Sequence, residues 1–199
     1  MTAPDRALPT ALSERAASDL RFIRATMTQA ASFTTVSGSG YVAIGCLALL
    51  AGVGAMSLAQ PAVRAEVWIT DAVVSVLIGL WSTARKAQRA GQSLLSGTFR
   101  KFIVCVGPAI AVGAVLTGVF LRLRAYADLP ALWMLCYGAG LVAGGAFSVR
   151  AVPAMGACFM TLGLTAALLS PRLGYELMTF GFAGLHIVFG VLVIRRHGG

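Results

Sequence analysis

Acidic side chains are scarce. The 199 residues hold seven Asp and Glu against sixteen Lys and Arg, and charged residues make up only 12% of the chain. Soluble domains carry about 25%. With 58% of the residues hydrophobic, there is too little polar surface to cover a globule in water, and lipid has to solvate most of the exterior. Catalytic signatures are missing too. There is no HExxH, no GxSxG, no Walker loop and no pair of carboxylates at useful spacing, so the chain does not read as an enzyme. The cysteines Cys46, Cys105, Cys136 and Cys158 form no CxxC pair. That excludes a zinc centre of the usual spacing, speaks against structural disulfides, and leaves them as small buried hydrophobes. No other metal-ligand set is visible. The opening "MTAPDRALPTALSER" has no apolar core of the kind a secretory leader needs, so the first span is expected to act as an uncleaved signal. The net charge of +9 lies in short clusters between apolar runs. Without a basic stripe or interleaved aromatics, nucleic acid is not the expected partner.

What the chain has instead is long apolar runs. A transmembrane helix needs about 20 predominantly apolar residues, and six stretches qualify: 41–59, 67–84, 102–121, 130–149, 151–169 and 175–194. Asp128 before Pro130 reads as an N-cap for the fourth. The expected fold is all-α, an integral membrane bundle of six antiparallel transmembrane helices (residues 41–199). A cytoplasmic amphipathic segment and linker (residues 1–40) precedes it.

Basic residues orient the bundle. Arg6, Arg15, Arg21, Arg24, Arg85, Lys86, Arg89, Arg100, Lys101, Arg150, Arg195 and Arg196 fall on one side, and only Arg64, Arg122, Arg124 and Arg172 on the other. The positive-inside rule then puts both termini in the cytoplasm, which agrees with an even number of spans. Trp68, Tyr126, Trp133 and Tyr175 lie near the expected outer ends, and Tyr41 and Trp81 near the inner ends, like interfacial belts.

Residues 12–33 carry Leu12, Ala16, Leu20, Ile23, Met27 and Ala30 on one helical face, with Arg21 and Arg24 opposite. Such a helix either lies on anionic lipid of the inner leaflet or caps the bundle through the same face. "TTVSGSG" (34–40) reads as a flexible linker. Arg85, Lys86 and Arg150 are expected to anchor in the headgroups by snorkelling, with capping of helix-end carbonyls or an anion contact as the alternative for Arg150.

Glycine is abundant, at 23 residues. Helices in lipid associate through close backbone approach, so small residues mark contact faces. Gly140 and Gly144 form one such small-x-x-x-small pair, expected to pack within the chain.

Ionisable residues inside spans are candidates for function by default. At 1.5 Å per residue, Asp71 lies about 6 Å below the outer interface. Its expected partners are Arg122 and Arg124 at the end of the third span, or Tyr137, about 9 to 11 Å down the fourth. That makes Asp71 either a structural contact or a proton or ligand site. His186 sits deeper, about 16 Å in. It reads as a neutral imidazole bonded to a Ser, Thr or backbone carbonyl, with an axial ligand to haem or a pigment as the alternative.

The stretches "DLRFIRATM", "GGAFSVRAVPAMG" and "GFAGLHIVFG" resemble a group of small multi-pass bacterial inner-membrane proteins of no known activity. The resemblance runs along most of the chain and implies a bacterial inner membrane. It transfers no role to any residue. The sequence therefore supports three expectations. The first is a non-catalytic subunit or scaffold of a larger membrane assembly, with other membrane subunits or copies of itself as partners. The second is a small transporter or proton-coupled carrier using Asp71. The third is a cofactor-binding or pigment-binding subunit centred on His186.

Overall fold

The computed structural model describes residues 14–23, 37–89, 97–169 and 173–197. The chain divides into two units, Met1–Ser32 and Phe33–Gly199. In the first, residues 14–23 form helix α1, exposed along its whole length. Arg21 Nε donates back to the Ala17 carbonyl at 3.2 Å. The rest of the 12–33 stretch, Arg24 included, lies outside the described residues, as does Arg172.

In the second unit every described element is helical, and six helices are long and apolar enough to cross a membrane. They are α2 (Gly38–Met56), α3 (Pro61–Arg89), α4 (Gly97–Arg122), α5 (Leu129–Gly145), α6 (Ala151–Leu168) and α7. The last is continuous but changes pitch: Gly174–Thr179 and His186–His197 are α-helical, and Phe180–Leu185 between them is a π-helix.

Several boundaries differ from expectation, each for a local reason. α2 starts at Gly38 because the Ser37 hydroxyl accepts from the Gly40 N–H, so Gly38 and Gly40 are helix and not linker. α3 opens on Pro61, whose missing N–H costs nothing at a helix start, and it carries its basic end to Arg89. α4 ends in a left-handed turn. Arg124 has φ 55°, its N–H bonds the Leu121 carbonyl, and the Ala125 N–H reaches back to Phe120. That is the Schellman pattern, which usually recruits glycine at the left-handed position. Asp128 does not cap α5. It ends a short 3-10 turn (Tyr126–Asp128), and its side chain makes no capping bond. α5 stops at Gly145, where N–H groups of Phe147 and Ser148 turn back onto Gly144 and Gly145.

Two seams hold the helices, and both are lined by small residues at heptad spacing. On α2 the face is Gly38, Tyr41, Gly45, Ala48, Gly52 and Ala55. A Cβ at Gly38 would meet Ile194 and the Gly190 carbonyl, one at Gly45 would meet Ile187, and one at Gly52 would meet Thr179. Residue numbers rise along α2 as they fall along α7. The α5–α6 seam behaves likewise: Gly138 faces the Gly156 carbonyl and Met160, Gly145 faces Pro153, and Gly163 faces Leu135. Removing side chains lets backbones approach, which is how helices gain dispersion energy in lipid. α4 packs on α5, where Gly140 faces Val106 and Ala109, and Gly144 faces Val106 and Phe102. α3 packs on α2 through Gly79 against Ile44 and Gly40 against Ser82. Among the described residues, no extended packing joins α3 to α4. α4 is accordingly peripheral: 6% of its apolar window is buried, against 44% for the stretch containing α5.

Three sequence expectations are corrected by the fold. Cys46 and Cys158 are exposed and Cys105 and Cys136 half-buried, so none is a fully buried hydrophobe, while all four are free, in line with the spacing. Trp68, expected in a belt, is 3% exposed and belongs to the core, and Tyr41 packs against that core. Trp133 also turns inward, its indole N–H donating to Thr117 on α4 at 2.8 Å. Trp81 does stay outside, 61% exposed, with the Arg85 guanidinium 5.1 Å from its ring centre.

Candidate functional site

The deepest polar group organises the centre of the bundle. His186 is 1% exposed and sits where the π-helical turn returns to α-helix. An ordinary helix would send the His186 backbone N–H to Phe182. In this turn it goes to Ala183, and the Phe182 carbonyl receives the imidazole Nδ1 at 2.8 Å instead. A carbonyl only accepts, so Nδ1 carries the proton and donates. Nε2 of a neutral ring is then an acceptor, and the Tyr137 hydroxyl donates to it at 2.8 Å.

Aromatic rings close around this pair. Tyr41 meets the imidazole edge-on at 5.5 Å and Phe159 at 5.6 Å, while Phe182 stacks at 6.0 Å. Tyr137 itself packs on Phe159 at 4.9 Å and Phe182 at 5.3 Å. α2, α5, α6 and α7 each contribute at least one ring. Such edge and stacked contacts add about 0.5–1.5 kcal/mol each beyond area burial.

Both nitrogens of His186 are engaged and its faces are covered by rings. An axial bond to haem or a pigment would have to displace Tyr137 or Phe182 and open the packed box. These residues do not fit such a group.

Asp71 belongs to a different place. Trp68, Asp71 and Ser75 follow one another at spacings of three and four on the inward face of α3. The Trp68 Nε1, Asp71 Oδ1 and Ser75 Oγ atoms are all buried without a hydrogen-bond partner. Asp71 is 8% exposed and makes no described ion pair with Arg122 or Arg124. Tyr137, the other expected partner, is committed to His186. So the structure joins Tyr137 to His186 and leaves Asp71 and Arg122 outside that pair. Trp68 links the two regions by packing on Phe182 at 6.2 Å. Arg150 is exposed and makes no side-chain capping bond.

A cavity of about 300 Å³ opens one turn from Asp71, between the end of α2 and the starts of α3 and α7. Its wall includes Gly52, Arg64, Trp68, Tyr175, Glu176 and Thr179. Sequence reasoning did not single out this cavity, nor Tyr41 and Phe182. The signal for those two was present: Phe182 and His186 are four apart on one helix, and Tyr41 lies in the heptad of small residues on α2.

No family model, curated protein or solved structure matches the chain.

Proposed function

We propose that the chain is a six-span antiparallel protein of the bacterial inner membrane, with both termini in the cytoplasm. There it works as a non-catalytic subunit that docks another transmembrane helix. The bias of twelve basic residues to one side supports the orientation, and the resemblance to bacterial inner-membrane proteins supports the location.

The observation that carries the subunit reading is the bare face of α4. Gly107, Ala111, Ala114 and Gly118 recur at four, three and four residues on the side turned away from α5. Ala111, Ala114 and Gly118 are exposed, and a Cβ at Gly107 or Gly118 would have nothing within 4 Å. The same spacing of small residues builds both intrachain seams. Lipid does not need a glycine face; a helix does.

The test is a cysteine at Ala114 in a chain with its own four cysteines replaced, oxidised in native membranes. A crosslinked band is expected, at twice the chain's mass for a second copy or at another mass for a different subunit. A cysteine at Ala109, on the α5-facing side, should give none. No product at Ala114 under oxidation that crosslinks a known dimer would end the subunit reading.

A second reading rests on the polar row of α3. Three unpartnered buried polar atoms, Asp71 among them, next to a cavity suit a small carrier that moves a solute or proton past Asp71. In proteoliposomes with an internal pH dye, an imposed potential should then drive proton entry that Asp71→Asn abolishes. Equal flux from both proteins would refute that role.

A further inference from the structure

The cavity between α2, α3 and α7 has an uncommon composition for its place. Arg64 and Glu176 both stand in its wall, yet no ion pair joins them, and neither has a charged partner among the described residues. Arg64 is held from behind: its Nε donates to the Leu58 carbonyl at 2.6 Å. That bond uses one donor, fixes the plane of the guanidinium and leaves the terminal amino groups uncommitted. Guanidinium groups so held bind carboxylate or phosphate in a two-pronged fashion.

The hydroxyls of the wall are already engaged. The Tyr175 hydroxyl donates to the Tyr126 carbonyl at 3.1 Å, and the Thr179 hydroxyl to the Tyr175 carbonyl at 2.8 Å. Both side chains therefore serve as shape. Tyr175 offers ring surface, and Trp68, Gly52 and Ala55 close the wall. Ring faces attract ammonium groups.

We propose that this cavity binds a zwitterion: an ammonium joined by a short chain to a carboxylate or phosphate. Arg64 takes the anion, and Glu176 with the Tyr175 ring takes the ammonium. A volume of about 300 Å³ is at the small end of ligand sites. Two sources carry this chemistry, a free amino acid-like solute and the headgroup of an ethanolamine phospholipid.

Titration calorimetry on the whole protein in detergent tests the idea with four probes. γ-Aminobutyrate and glycerophosphoethanolamine are the zwitterions; butyrate and ethanolamine carry one charge each. At least one zwitterion should bind saturably, about tenfold or more tighter than either single-charge probe, since each lost charge-assisted hydrogen bond is worth about a factor of ten or more. Preference for glycerophosphoethanolamine assigns the headgroup, and preference for γ-aminobutyrate assigns the free solute. Arg64→Gln and Glu176→Gln should each weaken binding by about tenfold. Glu176 is exposed, so its variant should fold, and circular dichroism checks both. No saturable heat with either zwitterion, equal affinity for the single-charge probes, or a folded Glu176→Gln with unchanged affinity would overturn the proposal.

Discussion

Removing the Tyr137 hydroxyl should destabilise the bundle only while His186 is present. Tyr137→Phe keeps the ring and its contacts with Phe159 and Phe182 at 4.9 and 5.3 Å, so packing changes little. What is lost is the donor to His186 Nε2 at 2.8 Å. That nitrogen is buried among rings, with Nδ1 already used on Phe182. Leaving a buried acceptor unmet costs about 1–3 kcal/mol in soluble proteins. Pairwise couplings in membrane proteins average about 0.6 kcal/mol and reach about 1.7. Enclosure of this pair puts the expected loss near the upper end, about 1–2 kcal/mol. His186→Leu removes the acceptor and several ring contacts, and should cost about 2 kcal/mol or more. In the His186→Leu background the sign of Tyr137→Phe reverses. The hydroxyl then has no acceptor, and replacing it with hydrogen should be neutral or stabilising. Reversible unfolding in mixed detergent and SDS micelles, followed by far-UV circular dichroism, measures all four corners of the cycle. An equal cost for Tyr137→Phe in both backgrounds would refute the pairing that organises this centre.

Glycine substitutions should split by position under the same assay. Gly138→Ala places a Cβ about 2.7 Å from the Gly156 carbonyl and 2.8 Å from the Met160 nitrogen. Backbone cannot step aside, so the helices must part, at about 1–3 kcal/mol. Gly54→Ala meets nothing within 4 Å and should be neutral or gain up to about 1 kcal/mol; equal losses at both sites would show that the seam is not tight. Arg124→Gly should stabilise by about 1 kcal/mol, because φ 55° strains any residue with a Cβ. A lowered melting point for that variant would mean the arginine side chain contributes more than its backbone costs.

The composition of the chain made its helices legible. Apolar runs located the six helices, with ends displaced by up to about six residues. The ends shifted where a local bond decided them, as with the Ser37 hydroxyl at α2 and the Gly144–Gly145 turn after α5. Of the candidate site, His186 and Tyr137 were visible as residues but not as a pair. Depth counted along straight helices set them about 5–7 Å apart. That ruler measures backbone, and the length of a phenol closes the gap. The π-helical turn beside His186 left no mark in spacing or composition. Nor did the inward turn of Tyr41 and Trp68, since a ring near a span end suits an interface or a core equally well. Asp71 stood out at once because a carboxylate in an apolar run is conspicuous. Its missing partner did not, because pairing depends on which helices touch.

In each of the two seams, a pair of glycines faces each other's carbonyls: Gly38 with Gly190, and Gly138 with Gly156. Most buried contacts can evolve by exchange, one partner growing as the other shrinks. Between these glycines neither partner has anything left to give up. A methyl added on one side finds no compensating change across from it, so these four positions resist drift one mutation at a time. Variation has to accumulate elsewhere, on the lipid-facing sides of the helices, while the two crossings keep their spacing.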